Sequence, residues 1–173
     1  TPTIGLGIRR LHDNPALSMC LFEDALKRDP ADIGANLGKG ALLESHGHYL
    51  KAKEHYQKAA VDPEYKTAEK AMVRIATRLI EVDVMARAYG QKPTPKAFPH
   101  MEQCPTFDHE GTMNITRNVK LRLNGNIAAE IMEPLWIGES VRIIEDGPKW
   151  AKVTLLDGTE GYINKKLAFK PKK

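Results

Sequence analysis

No run of apolar residues in this sequence approaches the ~20 needed to cross a bilayer as a helix, so no transmembrane segment is expected. Cysteine is scarce. Cys20 and Cys104 are the only two, too few for a disulfide framework of the kind that holds small secreted domains together. Cys20 falls inside an apolar helical pattern and reads as a small core residue, while Cys104 falls in a loop-like segment. The redox compartment is left open. There is no Cys-x-x-Cys pair and no His-Glu-x-x-His helix, the spacings that most often mark zinc. A Gly-x-Ser-x-Gly nucleophile elbow is missing too. The glycine pairs Gly5 and Gly7, and Gly38 and Gly40, lack the strand-before, helix-after context of a phosphate-binding loop. No catalytic, metal-binding or cofactor-binding residue is therefore expected.

What is present is a chain of 173 residues, long enough for one ordinary domain or two small ones. Its 42% hydrophobic and 28% charged residues fit a folded protein rather than a disordered one. The net charge is +4, but Lys165, Lys166, Lys170, Lys172 and Lys173 crowd the last nine positions, and removing those five leaves −1. The basic character belongs to the tail, so a specific nucleic-acid-binding face is not expected. The tail reads as a solvated C-terminus, with contact to an anionic polymer as the alternative. The chain begins at Thr1 without an initiator Met, which suggests that an upstream piece was removed, by a signal peptidase or by truncation.

Proline marks the organisation. Pro15, Pro30 and Pro63 fall where helices would begin or end, and then Pro93, Pro95 and Pro99 follow within seven residues. Proline lacks a backbone donor and pushes its predecessor out of the helical region, so helix should stop there. From about Thr116 the apolar residues alternate with period two, as in strands. The expected layout is α+β in two domains. Residues 1–90 are all-α, 91–115 form a Pro-containing linker, 116–169 are all-β, and 170–173 are a basic tail.

The helical half repeats itself. Ser18, Phe22 and Ala25 are matched by Ala52, Tyr56 and Ala59, each 34 residues later, and Asp13 and Gly47 at the preceding turns keep the same spacing. Small residues let antiparallel helices approach, and an aromatic ring fills the space beside them. With the closing Asp-Pro pairs ending at Pro30 and Pro63, this resembles the tetratricopeptide repeat. Leu37 and Gly38 resemble the Leu-Gly of that repeat's first helix, and Gly47 with Tyr49 resembles its Gly-x-Tyr turn. The first helix departs from the pattern, with Gly34 and Ala35 where a large aromatic is usual. Residues 66–89 carry a seam of Ala68, Met72, Ile75, Leu79, Val82, Ala86 and Tyr89, an amphipathic helix expected to break near Glu81 to Asp83. It reads as a capping helix or a diverged third repeat, since so few repeats need a cap.

In the second half, short strands are expected at 118–123, 128–132, 139–145, 149–155 and 159–164, with turns at Asn124-Gly125, Gly147-Pro148 and Asp157-Gly158. Several motifs here resemble bacterial SH3 domains. Lys120, Leu121 and Arg122 look like the opening Asn-Val-Arg, and Ile131, Met132, Leu135, Gly138 and Val141 look like the second and third strands. Trp150 with Val153 looks like the Trp-x-x-Val strand, and Asp157, Gly158, Gly161, Tyr162 and Ile163 look like Asp-Gly-x-x-Gly-Trp-Val. Lys120 stands where Asn is usual and Tyr162 where Trp is usual. The resemblance implies an SH3-like barrel. Alternation places Val119, Leu121, Leu123, Val141, Ile143, Ala151, Val153, Leu155 and Ile163 inward and Trp150, Lys152 and Tyr162 outward, with Trp136 exposed beside Leu135. Outer aromatics form a binding groove or else pack under the linker or the helices.

Together these readings point to a non-enzymatic adaptor or scaffold. The resemblance to tetratricopeptide repeats implies a groove for a protein or peptide partner, with Asn36, Lys39 and Leu43 as candidate contacts. The barrel would take a second partner or a cell-wall ligand through Trp136, Trp150, Lys152 and Tyr162. Bacterial SH3 families commonly bind peptidoglycan peptides, so peptidoglycan targeting or cell-wall regulation is the alternative. By the same analogy the location is the periplasm or cell envelope, with the cytoplasm as the other choice. A third reading is a metal-dependent hydrolase built on His46, His48 and His55, or on His100, Cys104, Asp108 and His109 of the linker.

Overall fold

Asn14 and Asp32 set two helix starts. The Asn14 Oδ1 accepts from Leu17 N at 3.1 Å and the Asp32 Oδ1 from Ala35 N at 2.8 Å, each satisfying an amide that the first helical turn leaves without a partner. Pro15, whose missing N–H costs nothing at a first helical position, follows Asn14. The computed structural model describes residues 2–60, 66–90, 94–97 and 103–170. These belong to two units, Gly7–Cys104 and Pro105–Lys173 with Thr1–Leu6, so the division falls within the first helix. Pro63, His100, Lys172 and Lys173 lie outside the described residues.

The helical unit holds α1 (Pro2–Arg9, which begins before the division), α2 (Pro15–Arg28), α3 (Ile33–Ser45), α4 (Tyr49–Ala59) and α5 (Lys66–Tyr89). α2 and α4 start 34 residues apart, and the residues that repeat at that spacing are the ones that bury. Ser18, Phe22 and Ala25 on α2 and Ala52, Tyr56 and Ala59 on α4 all lie in the core. Phe22 shows why the glycines are needed. A Cβ built on Gly38 would sit 2.4 Å from the Phe22 ring, and one on Gly7 would sit 2.8 Å from it. Gly40 gives the same room to Tyr56. Ser18, also buried, donates its hydroxyl to the Gly7 carbonyl at 2.6 Å.

Cys20 and Cys104 form a disulfide with a sequence separation of 84, a pairing that two isolated cysteines do not signal in sequence. Cys20 is a core residue as expected, but its sulfur also fixes the far end of the unit to α2. α5 is continuous over 24 residues, with no break at Glu81 to Asp83. Those acids instead pair along the helix, Glu81 with Arg78 at 3.2 Å and Asp83 with Arg87 at 3.1 Å. Only the first half of α5 is deeply packed, through Ala68, Ala71 and Ile75. Tyr89, the last residue of the expected seam, is 72% exposed.

The second unit is an antiparallel sheet of six strands: β1 (Met113–Asn114), β2 (Val119–Arg122), β3 (Ile131–Leu135), β4 (Ser140–Asp146), β5 (Trp150–Thr154) and β6 (Glu160–Asn164), followed by α6 (Lys165–Ala168). The strand order is β1-β4-β5-β6-β2-β3. Val119, Leu121, Val141, Ala151, Val153, Leu155 and Ile163 are buried as alternation requires. Leu123 is not: it is 53% exposed, because the register shifts between Leu121 and Arg122 and β2 ends there. Ile143 is only half-buried, beside a second register shift. β3 begins later than expected because 123–130 form a hydrogen-bonded loop, with Leu123 N donating to Glu130 O and Ala129 N to Asn126 O. The stretch expected to end the linker also does more. β1 lies in it, Phe107 and Ile115 are buried, and Arg142 Nη2 donates to the carbonyls of Asp108 and Glu110, each at 2.9 Å. The basic tail is partly tied down as well, since Lys165 pairs with Asp146 at 2.7 Å and Lys170 N donates to Thr116 Oγ1 at 2.6 Å. No helix among the described residues is long and apolar enough to cross a membrane.

Candidate binding surfaces

On the sheet, antiparallel register brings most of the expected residues together. Lys152 on β5 stands opposite Tyr162 on β6, and Tyr162 stands opposite Arg122 on β2. Opposed residues share a face, so Lys152, Tyr162 and Arg122 form a row across three strands, and Trp150 lies two positions from Lys152 on the same side. The β2–β3 loop comes down onto this face. A Cβ on Gly125 would lie 3.3 Å from Trp150 Cβ and 3.4 Å from Tyr162 Cδ1. Arg122 Nη1 donates to Ala129 O at 2.8 Å and so holds the loop from its other end. Trp150, Lys152 and Tyr162 are each half-buried, with the Lys152 ammonium 3.5 Å from a Glu160 carboxylate oxygen. The result is a surface of two rings and two cations, with Lys152 between Glu145 and Glu160 and Arg122 bonded to the Ala129 carbonyl. Chemically it suits stacking against a flat or apolar group and hydrogen bonding to carbonyls or carboxylates. Trp136 is elsewhere, on the β3–β4 turn, where its backbone N–H donates to the Glu139 carboxylate.

In the helical unit two of the three expected contacts, Asn36 and Leu43, are buried in the packing, and the third, Lys39, stays at the surface. Asn36 is fully buried. Its Nδ2 donates to the carbonyls of Pro30 and Asp32, at 3.1 and 2.9 Å, and its Oδ1 accepts from His55 Nδ1 at 3.0 Å. Leu43 is buried in a cluster with Ala52, Tyr56, Ala71 and Ile75. Lys39 is half-buried and pairs with Glu23 at 3.3 Å. Asn36 and Leu43 thus face α4 and α5 rather than a groove, while Lys39 bridges to α2 at the surface.

A polar network joins three of the helices. Tyr56 Oη donates to Glu44 Oε2 at 2.9 Å and Arg74 Nη2 to the same oxygen at 2.8 Å, while Arg74 Nε bonds the other carboxylate oxygen. Burial alone would raise the Glu44 carboxyl, but the bonds from Arg74 and Tyr56 and the charges of Arg74 and Arg78 outweigh it and hold the group below its ordinary value. Burial, with the Glu44 bond, raises the Tyr56 phenol, and the bond to Glu44 raises the Arg74 guanidinium. His55 is pushed down to about 4 by burial and by the charges of Lys39 and Lys58, so it is neutral at ordinary pH.

The histidines do not converge. His46 Nδ1 lies 2.9 Å from Leu42 O, His48 Nε2 lies 3.0 Å from Lys96 O, and His55 faces Asn36. Cys104 is committed to the disulfide. Among the described residues, no group of three or more His, Cys, Asp or Glu is placed to hold a metal ion.

A surface that sequence did not signal lies at the α3–α4 turn. It is a cleft of about 690 Å³ between that turn, the start of α4, the middle of α5 and the segment 94–96. Tyr49, Leu50, Leu79, Val82 and Pro95 form its apolar walls, and Lys51 and Lys96 its charged ones. The segment is tied to the turn at two points, Lys96 N to His46 O at 3.0 Å and Lys96 O to His48 Nε2. Gly47 has φ +81, so the turn depends on glycine, and Pro95 Cα lies at ordinary contact distance, 3.5 Å, from where a Cβ would stand. No protein-family model matches this chain, and no curated protein matches it.

Proposed function

We propose that this chain is a non-enzymatic adaptor. Helical repeats of the tetratricopeptide type capture a protein partner, and a barrel of the bacterial SH3 type holds a second ligand, either a partner or a cell-wall peptide. The observation that carries the reading is the row of Lys152, Tyr162 and Arg122 with Trp150 beside it. These side chains line one outer face, and their rings give contact area at little cost in conformational entropy. The 34-residue spacing of the buried small and aromatic residues on α2 and α4 supports the repeat assignment. The six-stranded antiparallel sheet with a tight Asp157-Gly158 turn supports the barrel assignment.

The disulfide favours an oxidising compartment, which suits a periplasmic or envelope location. With that location, peptidoglycan is the second ligand to test first. The experiment is co-sedimentation of the intact chain with purified bacterial sacculi at moderate salt, beside its Trp150→Ala variant. Pelleting that Trp150→Ala abolishes supports a wall ligand on this face. Pelleting that Trp150→Ala leaves intact removes the face from the wall contact. No pelleting makes the barrel a protein-binding module.

A further inference from the structure

We propose that the cleft at the α3–α4 turn is the docking site for an acidic amphipathic helix of a partner protein, lying along the uncovered end of α5. This rests on the reading that the helical unit captures a protein, and it moves that capture away from Asn36, Lys39 and Leu43. Length is the first reason. α5 has 24 residues against 11 in α4, so at 1.5 Å per residue it runs about 36 Å against about 17 Å and outlasts its neighbour. Apolar residues nonetheless continue along it at steps of three and four, through Leu79, Val82, Met85 and Ala86 to Tyr89. Met85 is 48% and Tyr89 72% exposed, so among the described residues no helix covers the stripe beyond Leu79 and Val82, which line the cleft. From Leu79 to Tyr89 the stripe measures about 15 Å, the length of about three helical turns. That elongated shape fits a helix laid in a groove better than a compact small molecule.

Charge is the second reason. The cleft is lined by Lys51 and Lys96 and by no Asp or Glu. The nearest acids of α5, Glu81 and Asp83, are already paired with Arg78 and Arg87. A partner helix with an apolar stripe flanked by Asp or Glu would bury that stripe on Leu50, Leu79 and Val82 and set its carboxylates against the two lysines. A basic helix would meet like charge there. The walls are built rather than incidental, since the segment carrying Pro95 and Lys96 is bonded to the turn at both Lys96 N and Lys96 O.

Fluorescence anisotropy on the intact, oxidised chain tests this. The probes are two labelled synthetic peptides of about 14 residues with leucines at i, i+3, i+4 and i+7, one with glutamate at the polar positions and one with lysine. The glutamate peptide should bind at least about ten-fold more tightly than the lysine peptide, and Leu50→Asp and Lys51→Glu should each weaken it by about ten-fold. Leu50 is 67% exposed and Lys51 is exposed, so both variants should keep the wild-type helical circular dichroism. Equal binding of the two peptides, binding that neither variant changes, or binding of neither peptide overturns the proposal. So does sedimentation showing a dimer that Leu50→Asp dissolves, because the occupant is then a second copy. Laurate displacing the glutamate peptide at equal concentration would make the site one for small amphiphiles and also overturn it. Sacculus binding reads Trp150 and should not respond to Leu50→Asp, so the docking site and the adaptor reading fail by different results.

Discussion

Phe22 and Leu121 are both fully buried, and both rest on glycine, but with different neighbours. Phe22 is received by Gly7 and Gly38 on two other helices, and glycine inside a helix costs about 1 kcal/mol relative to alanine. Leu121 is received by Gly161 on the adjacent strand, within a sheet whose ladder bonds continue on both sides. The helical unit therefore sacrifices helix propensity for close approach and adds a covalent tie and buried side-chain bonds between its helices. These are the Cys20–Cys104 disulfide, the Glu44–Tyr56–Arg74 network and the Asn36–His55 bond. Its stability should respond to redox state and acid, while the sheet should respond mainly to core volume. Both tryptophans, Trp136 and Trp150, belong to the sheet unit, so their fluorescence reports on it, whereas the 222 nm dichroism reports chiefly on the helices.

The largest effect should come from Phe22→Ala. The glycines on either side of the Phe22 ring offer no side chain to fill its space, so the expected loss is about 3–5 kcal/mol, read from urea unfolding at 222 nm. A loss below about 1 kcal/mol would mean that the helices close up and the interlock is not what holds them. Next comes the disulfide. Joining residues 84 apart restricts the unfolded chain by an amount worth about 4.5 kcal/mol. Cys104→Ser should lower the 222 nm transition by roughly that much and leave the tryptophan transition as the internal reference. An equal shift of both signals would erase the contrast between the units.

Gly38→Ala is a finer probe. Alanine favours helix by about 1 kcal/mol, yet its Cβ would meet the buried Phe22 ring, so a net loss of about 1–3 kcal/mol is expected. A gain would show that the ring moves freely.

The smallest stability effect should be acid sensitivity. His55 is depressed to about 4 in the folded chain, and an unfolded histidine titrates near 6.5. Between those values the unfolded state binds more protons, so stability falls as pH drops from 6.5 toward 4, by about 1–2 kcal/mol once partial exposure is allowed for. Glu44, held below its ordinary value, adds stability above about pH 4.5 that is lost as pH falls through its lowered range. His55→Gln should flatten the first part of the pH profile and leave the second. An unchanged profile would remove His55 from the account.

Where a residue's role follows from periodicity it was readable in advance. The 34-residue pairs on α2 and α4, the helix starts near Pro15, and the inward set Val119, Leu121, Ala151, Val153 and Ile163 all follow from a local pattern that the fold keeps. The face bearing Trp150, Lys152 and Tyr162 was readable for the same reason. Leu123 and Ile143 escaped because a register shift, which no alternation records, moved them out of phase. Asn36 and Leu43 are buried, because helical spacing gives a face but not what covers it. The disulfide, the Glu44 network and the cleft join residues tens of positions apart, and only tertiary structure brings them together.

The proposed adaptor would carry a separate binding surface on each unit. An amide NMR titration of the intact chain with soluble peptidoglycan stem peptides, then with the glutamate peptide, tests it directly. The stem peptides should shift Gly125, Trp150, Lys152 and Tyr162, and the glutamate peptide should shift Leu50, Lys51, Leu79 and Val82, with no overlap between the sets. Shifts confined to one common set, or the absence of shifts with both ligands, would contradict a two-surface adaptor.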